Sequence, residues 1–386
     1  MVNDDAPASS SSHRATEPAP NPAQAKESTP QQAQDQARDQ AQDQPLSDPP
    51  EPSLTEQFPF AAFTAQTTNI HPSSGRLVTL DGVAFDDSGV VGEEFHAVFN
   101  VGGDPGPTHT HGVKRNDFER AAKFSRHLKK LDRFIDGRTL VVHDAPLVWG
   151  FIVSEARRAM NAAARANRSR NRRQGRRRQR VGHVPRPAGI VDTLASARKQ
   201  GAVLIDERLE AVAALSGVAV PSAEASAQRA AQQEEETSRG RTLALVGLYL
   251  ALGEAGPLDT RTTDELAPDR FGLQRSQLRV DAEKAPAQHG NPGQFTGKSG
   301  LRPGMEVVVS DDISADHDEL IQAILDLEMT YAEKLTRETS LVVTNAAGDP
   351  TDLRGKAMHA QRKGIPLLTD EQFLDAVSTA RGTRGS

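Results

Sequence analysis

The stretch FAAFTAQTTNIHPSSGRLVTLDGVAFDDSGVVGEEFHAVFN, residues 60–100, decides the fold. It holds three apolar or alternating segments, at 59–66, 76–85 and 90–100. The DDSG sequence at 86–89 lies between the last two and is typical of a hairpin turn. We therefore expect three successive strands to open the folded part of the chain.

A helix, a strand and a second helix are expected next. Apolar residues at helical spacing predict a helix over 116–135 that stops at Gly137. The β-branched run TLVVHD, 139–144, predicts a buried strand, and a second helix should run from Pro146 towards Ala166. Further helices are predicted over 190–198, 207–218 and 242–252. This order predicts a mixed sheet with flanking helices.

The C-terminal part alternates strands and helices more regularly. Strands are predicted at 305–310, 340–344 and 365–368, and helices at 320–327, 353–363 and 369–377. We therefore expect a small parallel α/β domain over 301–381, with a short tail at 382–386. Residues 253–300 contain Gly, Pro and Gln without periodicity, so we expect a linker there.

Composition excludes several kinds of chemistry. The 386 residues include no cysteine, which excludes disulfides, thiolate zinc sites, Fe–S clusters and cysteine nucleophiles. Residues 1–56 hold ten acidic and three basic residues and little apolar surface, so we expect a disordered acidic tail over 1–57. There is no apolar leader, and the run 243–252 is too short to cross a bilayer, so we expect a cytoplasmic protein.

Four segments occur in the order of a known nuclease family. They are FAAFTAQTTNIHP (60–72), DPGPTHTHGV (104–113), LVVHDAPLVWGFI (140–152) and IVDTLASAR (190–198). Over 58–252 the chain resembles the 3′–5′ exonuclease domain of the epsilon subunit of bacterial DNA polymerase III, which is RNase H-like. The resemblance implies four carboxylates that hold two divalent metals and a histidine that activates water.

The residues at the family's catalytic positions do not suit that chemistry. Thr64 and Gln66 replace the first motif's Asp and Glu, and Val148 replaces the second motif's Asp. No histidine lies between 183 and 289, and we align Arg241 with the third motif's Asp. Two Mg²⁺ or Mn²⁺ ions need anionic oxygen ligands. We therefore expect no catalytic residues, no metal site, no cofactor and an inactive domain.

An active exonuclease with rearranged ligands is the alternative, and it would use Mg²⁺ or Mn²⁺. Its candidate acids are Asp81, Asp144 and Asp192. Each also has a structural interpretation, such as a strand residue, a strand-end cap or a helix N-cap. The pair His109 and His111 could ligate zinc, but a third ligand is not evident near it.

An arginine-rich segment interrupts the exonuclease-like part. ARANRSRNRRQGRRRQRVGHVPRP, 164–187, carries ten arginines and no acid. Such a cluster favours a nucleic-acid backbone, and with no aromatic residues it should read little sequence. The arginines that we expect to contact DNA are Arg168, Arg170, Arg172, Arg173, Arg176, Arg177, Arg178 and Arg180. An acidic protein or the chain's own acidic tail remains an alternative partner.

The C-terminal domain has its own family resemblance. The strand ending at Ser310, SLVVT (340–344) and GKAMHAQRKGIPLLTDEQF (355–373) resemble the BRCT domain of DNA repair and replication proteins. The resemblance implies phosphate binding by Ser310 and Lys356, through a hydroxyl and an ammonium. Asp311 replaces the family's glycine and would repel an anion, so the alternative is that neither residue binds phosphate.

Together these patterns predict a scaffold for DNA repair or replication. It would bind DNA through its backbone and a phosphoprotein or a repair protein through the BRCT domain. The alternatives are an active 3′–5′ exonuclease and a scaffold that makes only protein contacts.

Overall fold

The computed structural model describes residues 53–171, 180–220, 232–348 and 353–384, which belong to one compact unit. The expected disordered tail lies outside these ranges up to residue 52. Residues 54–57, which we also assigned to the tail, form a short helix α1 (Leu54–Gln57) that is capped by Ser53 and Glu56. The buried Arg138 guanidinium donates to the carbonyls of Leu54 and Phe58 at 3.3 and 2.8 Å, which fixes this helix.

A six-stranded mixed sheet forms the centre of the larger part. Its strands are β1 (Phe60–Thr67), β2 (Leu77–Phe85), β3 (Val91–Val98), β4 (Thr139–Val142), β5 (Gly189–Asp192) and β6 (Asp259–Arg261). They lie in the order β3-β2-β1-β4-β5-β6. β1, β2 and β3 pair antiparallel, β4 and β5 run parallel to β1, and β6 is antiparallel. The expected mixed sheet is confirmed.

Helices cover both faces of this sheet. They are α2 (Thr108–His111), α3 (Arg115–Arg120), α4 (Phe124–Ile135), α5 (Ala145–Asn171), α6 (Thr193–Lys199), α7 (Leu209–Leu215) and α8 (Glu234–Ala255). α4 and α5 pack on the face that contains Phe63 and Phe95. α6, α7 and α8 pack on the face that contains Ala62 and Val83. This division follows from the alternation of side chains along a strand.

Several helix boundaries differ from those predicted. The helix expected over 116–135 is divided into α3 and α4, because Ala121 has an extended backbone. Residues 190–192 belong to β5, and the helix begins only at Thr193, where Asp192 caps it. α8 starts at Glu234 rather than at 242. The sequence pattern missed this start because the first two turns of the helix are polar and show no apolar periodicity.

The segment 253–300 contains regular structure where we expected a linker. It holds β6, a hairpin of β7 (Leu266–Pro268) and β8 (Gln274–Ser276), and helix α9 (Gln277–Lys284). Strands of three residues are too short to show alternation in sequence. Arg261 on β6 also bonds to Asp316 and Asp318 at 3.0 and 2.7 Å, so this segment is tied to the C-terminal part.

The C-terminal part is built on a second, parallel sheet. Its elements are β9 (Glu306–Val309), α10 (His317–Asp326), β10 (Thr330–Ala332), β11 (Thr339–Val343), α11 (Gly355–Arg362), β12 (Leu367–Leu368) and α12 (Asp370–Arg384). The strand order is β10-β9-β11-β12, with every pair parallel. The expected small parallel α/β arrangement is confirmed, and β10 is a strand that the sequence did not reveal. Among the described helices, none has the length and apolar character that a membrane span requires.

Candidate functional site

Thr64 and Gln66 lie on the face of β1 that is covered by α8. The Thr64 hydroxyl is 2.7 Å from that of Thr242, and both residues are buried. The Gln66 amide donates to Glu234 Oε1 at 3.3 Å and to Ser238 Oγ at 3.4 Å. Both first-motif positions are therefore already hydrogen-bonded to α8.

A network of charged residues continues this contact across β2 and β3. The carboxylate of Asp81 is fully buried and accepts two hydrogen bonds from Arg239, at 3.0 and 3.1 Å. His96 lies between two acids: its Nδ1 is 3.1 Å from Asp81 Oδ2 and its Nε2 is 3.2 Å from Glu234 Oε2. Arg239 also pairs with Glu94. We call Asp81, Glu94, His96, Glu234 and Arg239 the α8 network.

Electrostatics keep the α8 network charged. Burial alone would lower the pKa of His96, but hydrogen bonds with Asp81 and Glu234 raise it to about 9. Burial would raise the pKa of Asp81, but His96 and Arg239 hold it below its ordinary value. At neutral pH the network is thus a satisfied arrangement of ions that connects the sheet to α8.

The residues at the motif positions do not fit a pair of divalent metals. Thr64, Gln66 and Ser238 are neutral and bonded to protein groups, whereas hard cations prefer several carboxylates. Within the described ranges, no cluster of three or more His, Asp or Glu side chains is arranged to hold a metal. Val148, a residue of α5, is 7% exposed and packs in the core between that helix and the sheet. The motif positions themselves therefore offer Mg²⁺ or Mn²⁺ no carboxylate ligand.

The third-motif alignment was wrong. Arg241, which we placed at the family's aspartate, lies on another side of α8, where its Nε is 2.7 Å from Glu210 Oε1. Ser238 and Thr242 face β1 instead. Glu234, Ser238 and Thr242 recur every four residues, and this polar spacing is the signal that could have identified them in the sequence.

The alternative metal ligands are not gathered at one site. Asp81 belongs to the α8 network, whereas Asp144 and Asp192 lie at the ends of β4 and β5. The Asp192 carboxylate accepts hydrogen bonds from the amides of Asp144, Ala145, Leu194 and Ala195 at 2.8–3.2 Å. Its N-cap interpretation is confirmed, and the same carboxylate also holds the start of α5.

Asp144 borders a cavity between the mixed sheet and the C-terminal part. The cavity has a volume of about 150 Å³ and is also lined by Arg275, Asp311 and His317. Asp144 has a left-handed backbone with φ of 64°, which Asp tolerates better than most residues. Burial, together with the charge of Asp192, raises the pKa of Asp144 to about 7.

His111 has a structural role in its loop. Its Nδ1 accepts a hydrogen bond from the amide of Val113 at 3.1 Å, and its Nε2 is 3.3 Å from the carbonyl oxygen of Gly106. The side chain of His109 lies outside the described part. The geometry therefore gives no support to a zinc site at this pair.

The arginine-rich segment is described only at its ends. α5 continues to Asn171, five residues beyond the end that we predicted, so Arg168 and Arg170 lie on its last turns. Arg168 and Arg180 are exposed. The side chain of Arg170, and Arg172, Arg173, Arg176, Arg177 and Arg178 as a whole, lie outside the described residues. Their proposed contact with nucleic acid stays a prediction.

The predicted phosphate-binding residues lie at the end of β9. Lys356 donates to the carbonyl of Val309 at 2.9 Å, which places its ammonium beside Ser310. The same ammonium is 3.8 Å from Glu333 Oε2. Burial would raise the pKa of Glu333, but Arg279 lowers it to about 2, so this acid is ionised. An incoming phosphate would meet this negative charge. Phosphate binding by Ser310 and Lys356 stays a prediction.

Comparisons with known proteins give only distant similarities. No family model and no curated protein matches the chain. A solved structure of a 3′-exonuclease that recognises the histone mRNA stem-loop is 9% identical, with a TM-score of 0.39, and the match covers 56% of this chain and 89% of that one. A crystal structure of SSB/Exonuclease I in complex with an inhibitor is 12% identical, with a TM-score of 0.34, and the match covers 50% of this chain and 41% of that one. Brucella melitensis NrnC with bound Mg²⁺ is 13% identical, with a TM-score of 0.29, covering 53% and 77%. At such values these similarities carry no conclusion about activity.

Proposed function

We propose that this protein is a non-catalytic, nucleic-acid-binding scaffold for DNA repair or replication. The observation that carries the proposal is the state of the first-motif positions. Thr64 and Gln66 are neutral, and both are hydrogen-bonded to α8. A nuclease of the two-metal type needs anionic ligands at such positions. The arginine-rich segment supplies the affinity for the phosphate backbone.

The C-terminal part contributes a protein contact in this proposal. Its strand order and its resemblance to the BRCT domain support that role. Because Lys356 is engaged by Val309 and lies beside ionised Glu333, we propose that the contact does not depend on phosphate capture by Ser310. A phosphopeptide and its unphosphorylated form should therefore bind with equal affinity.

The deciding experiment combines hydrolysis and binding on the same substrates. Purified protein is added to a 3′-labelled single strand and to a primer–template with Mg²⁺ or Mn²⁺. The label should remain intact. Binding should weaken on the order of 10³-fold or more between about 50 and 200 mM salt if six or more phosphates are contacted.

A double variant, Thr64→Ala with Gln66→Ala, is the control for hydrolysis. Shortening of the label by the wild type but not by this variant would show that the motif positions work, and the proposal would be wrong. Intact label without salt-dependent binding would instead leave a scaffold that makes only protein contacts.

A further inference from the structure

Helix α4 presents an exposed row of positive charges. Its inner side is buried through Phe124, Leu128 and Leu131. The outer side carries cations at intervals of three and four residues, which places them on one face of a helix. These exposed residues, which we call the α4 stripe, are Lys123, Arg126, Lys129, Lys130 and Arg133.

Among the described residues, the α4 stripe has no acidic partner within ion-pair distance. None of the five described side chains forms a salt bridge. Arg133 donates to the carbonyl of Lys129 at 3.1 Å, and the Lys130 ammonium lies 5.3 Å from the centroid of the Phe95 ring. The acid within the helix, Asp132, is 3% exposed and faces His183 instead. The neighbouring α3 differs, because its Arg115 pairs with Glu119 at 2.9 Å. Uncompensated charge of one sign therefore distinguishes α4 from α3.

The C-terminal end of the arginine-rich segment packs against this same helix. The amide of His183 donates to Asp132 Oδ2 at 3.1 Å, and its ring nitrogen is 2.7 Å from Asp136 Oδ2. A Cβ on Gly182 would collide with Asp132, which shows how closely the returning chain approaches α4. Exposed Arg180 lies two residues before this contact. The described C-terminal end of the segment, residues 180–187, is thus a neighbour of the α4 stripe.

This surface is on the opposite side of the sheet from the degenerate motifs. α4 packs over Phe63 and Phe95, whereas Thr64 and Gln66 point to the other face, beneath α8. The six-stranded sheet therefore separates the α4 stripe from the family's catalytic positions. A strand that is held along α4 would not need to pass through the α8 network.

We infer that the α4 stripe, with the adjoining Arg180, binds the phosphate backbone of nucleic acid on the face of the sheet opposite to Thr64 and Gln66. From Lys123 to Arg133 the helix rises roughly 15 Å, enough to follow about four phosphates of one strand of a duplex. With no aromatic residue in the arginine-rich segment to stack on bases, binding is independent of sequence. The inference rests on the proposed function and assigns it a surface.

Charge reversal tests the surface with a matched control. Lys129→Glu with Arg133→Glu should weaken binding to single-stranded DNA, duplex DNA and single-stranded RNA by about tenfold or more, and should lower the salt slope by roughly 1.4 to 1.8. Arg362→Glu with Lys363→Glu makes the same charge change at exposed positions of the C-terminal part and should leave affinity unchanged. Lys129→Gln with Arg133→Gln gives a milder variant, and its unfolding temperature is compared with that of the wild type.

The outcomes separate this inference from the proposed function. Replacing Arg172, Arg173 and Arg176 by Gln tests the arginine-rich segment alone. If that variant loses affinity while both α4 variants bind like the wild type, the inference is wrong and the proposed function stands. If the wild type shows no salt-dependent binding, both fail.

Crosslinking gives a direct position for the bound strand. Because the chain has no cysteine, a single Cys can carry a photoreactive group at one chosen position. Ala122→Cys places it beside the α4 stripe, and Gln233→Cys places it at the start of α8; both positions are exposed. We expect adducts with labelled DNA at 122. Adducts at 233 and none at 122 would overturn the inference.

Discussion

Raising the pH from 6.5 to above 9 should cost the folded protein stability through one histidine. The pKa of His96 is raised from 6.5 to about 9 because Asp81 and Glu234 bond to its two ring nitrogens. A folded pKa above the unfolded value means that the stabilisation is complete below pH 6.5 and is lost as pH rises through about 9. The shift corresponds to about 3 kcal/mol of unfolding free energy.

Urea unfolding monitored by tryptophan fluorescence measures this effect. Trp149 is the chain's single tryptophan and is 2% exposed, so its emission reports on the core that is shared by α4 and α5. The wild type should lose about 3 kcal/mol between pH 6.5 and 9.5, on the scale of 1.4 kcal/mol for each pH unit. His96→Gln keeps a polar side chain without the titration and should lose much less.

Subtracting the loss of unfolding free energy in His96→Gln from that in the wild type cancels the contribution of other groups that titrate in this range. Equal losses in the wild type and in His96→Gln would refute the reasoning. An NMR titration of the imidazole gives a second reading, because a pKa near 6.5 in the folded protein would contradict the role that we assign to Asp81 and Glu234.

Three further predictions concern other polar groups. Arg138→Met should cost about 3 kcal/mol in urea unfolding, because it leaves backbone carbonyls of Phe58 and Phe134 unpaired in the interior; a loss below 1 kcal/mol, well under that estimate, contradicts this. Asp144→Asn should raise the free energy of unfolding more at pH 8 than at pH 5. The reason is that the pKa of Asp144 is raised from 3.8 to about 7 in the folded protein, so its ionisation costs stability as the pH rises through this range. An equal effect of the substitution at both pH values would count against this prediction. Thr64→Val should cost about 1 kcal/mol in urea unfolding by removing the hydrogen bond to Thr242, and an unchanged free energy of unfolding would show that this bond does not stabilise the fold.

Alternation along the strands made much of the sheet predictable. Thr64 and Gln66 are two residues apart, and the structure places both on one face, as the period of a strand requires. The hairpin between β2 and β3 was equally clear, because the DDSG sequence at 86–89 lies between two apolar segments. Local sequence chemistry was sufficient for these elements.

The partners of those strands could not be found in the same way. Glu234 and Arg239 look like solvent-exposed charges in the sequence, and their role depends on Asp81 and His96, which are far away along the chain. Such long-range ion pairs leave no local periodicity. The same polarity concealed the beginning of α8 and led us to place Arg241, rather than Ser238, opposite the first motif.

Strand β6 determines where the chain can be truncated to express the larger part alone. It forms an edge of the six-stranded sheet, although it follows α8 by only a few residues and lies in the segment that resembles a linker. A fragment that ends at residue 252 would leave β5 with an uncovered edge, and bare edges pair with other chains and aggregate. Insolubility of such a fragment would then result from the position of the truncation. A fragment that ends after Arg261 would keep β5 paired with β6, as in the full chain.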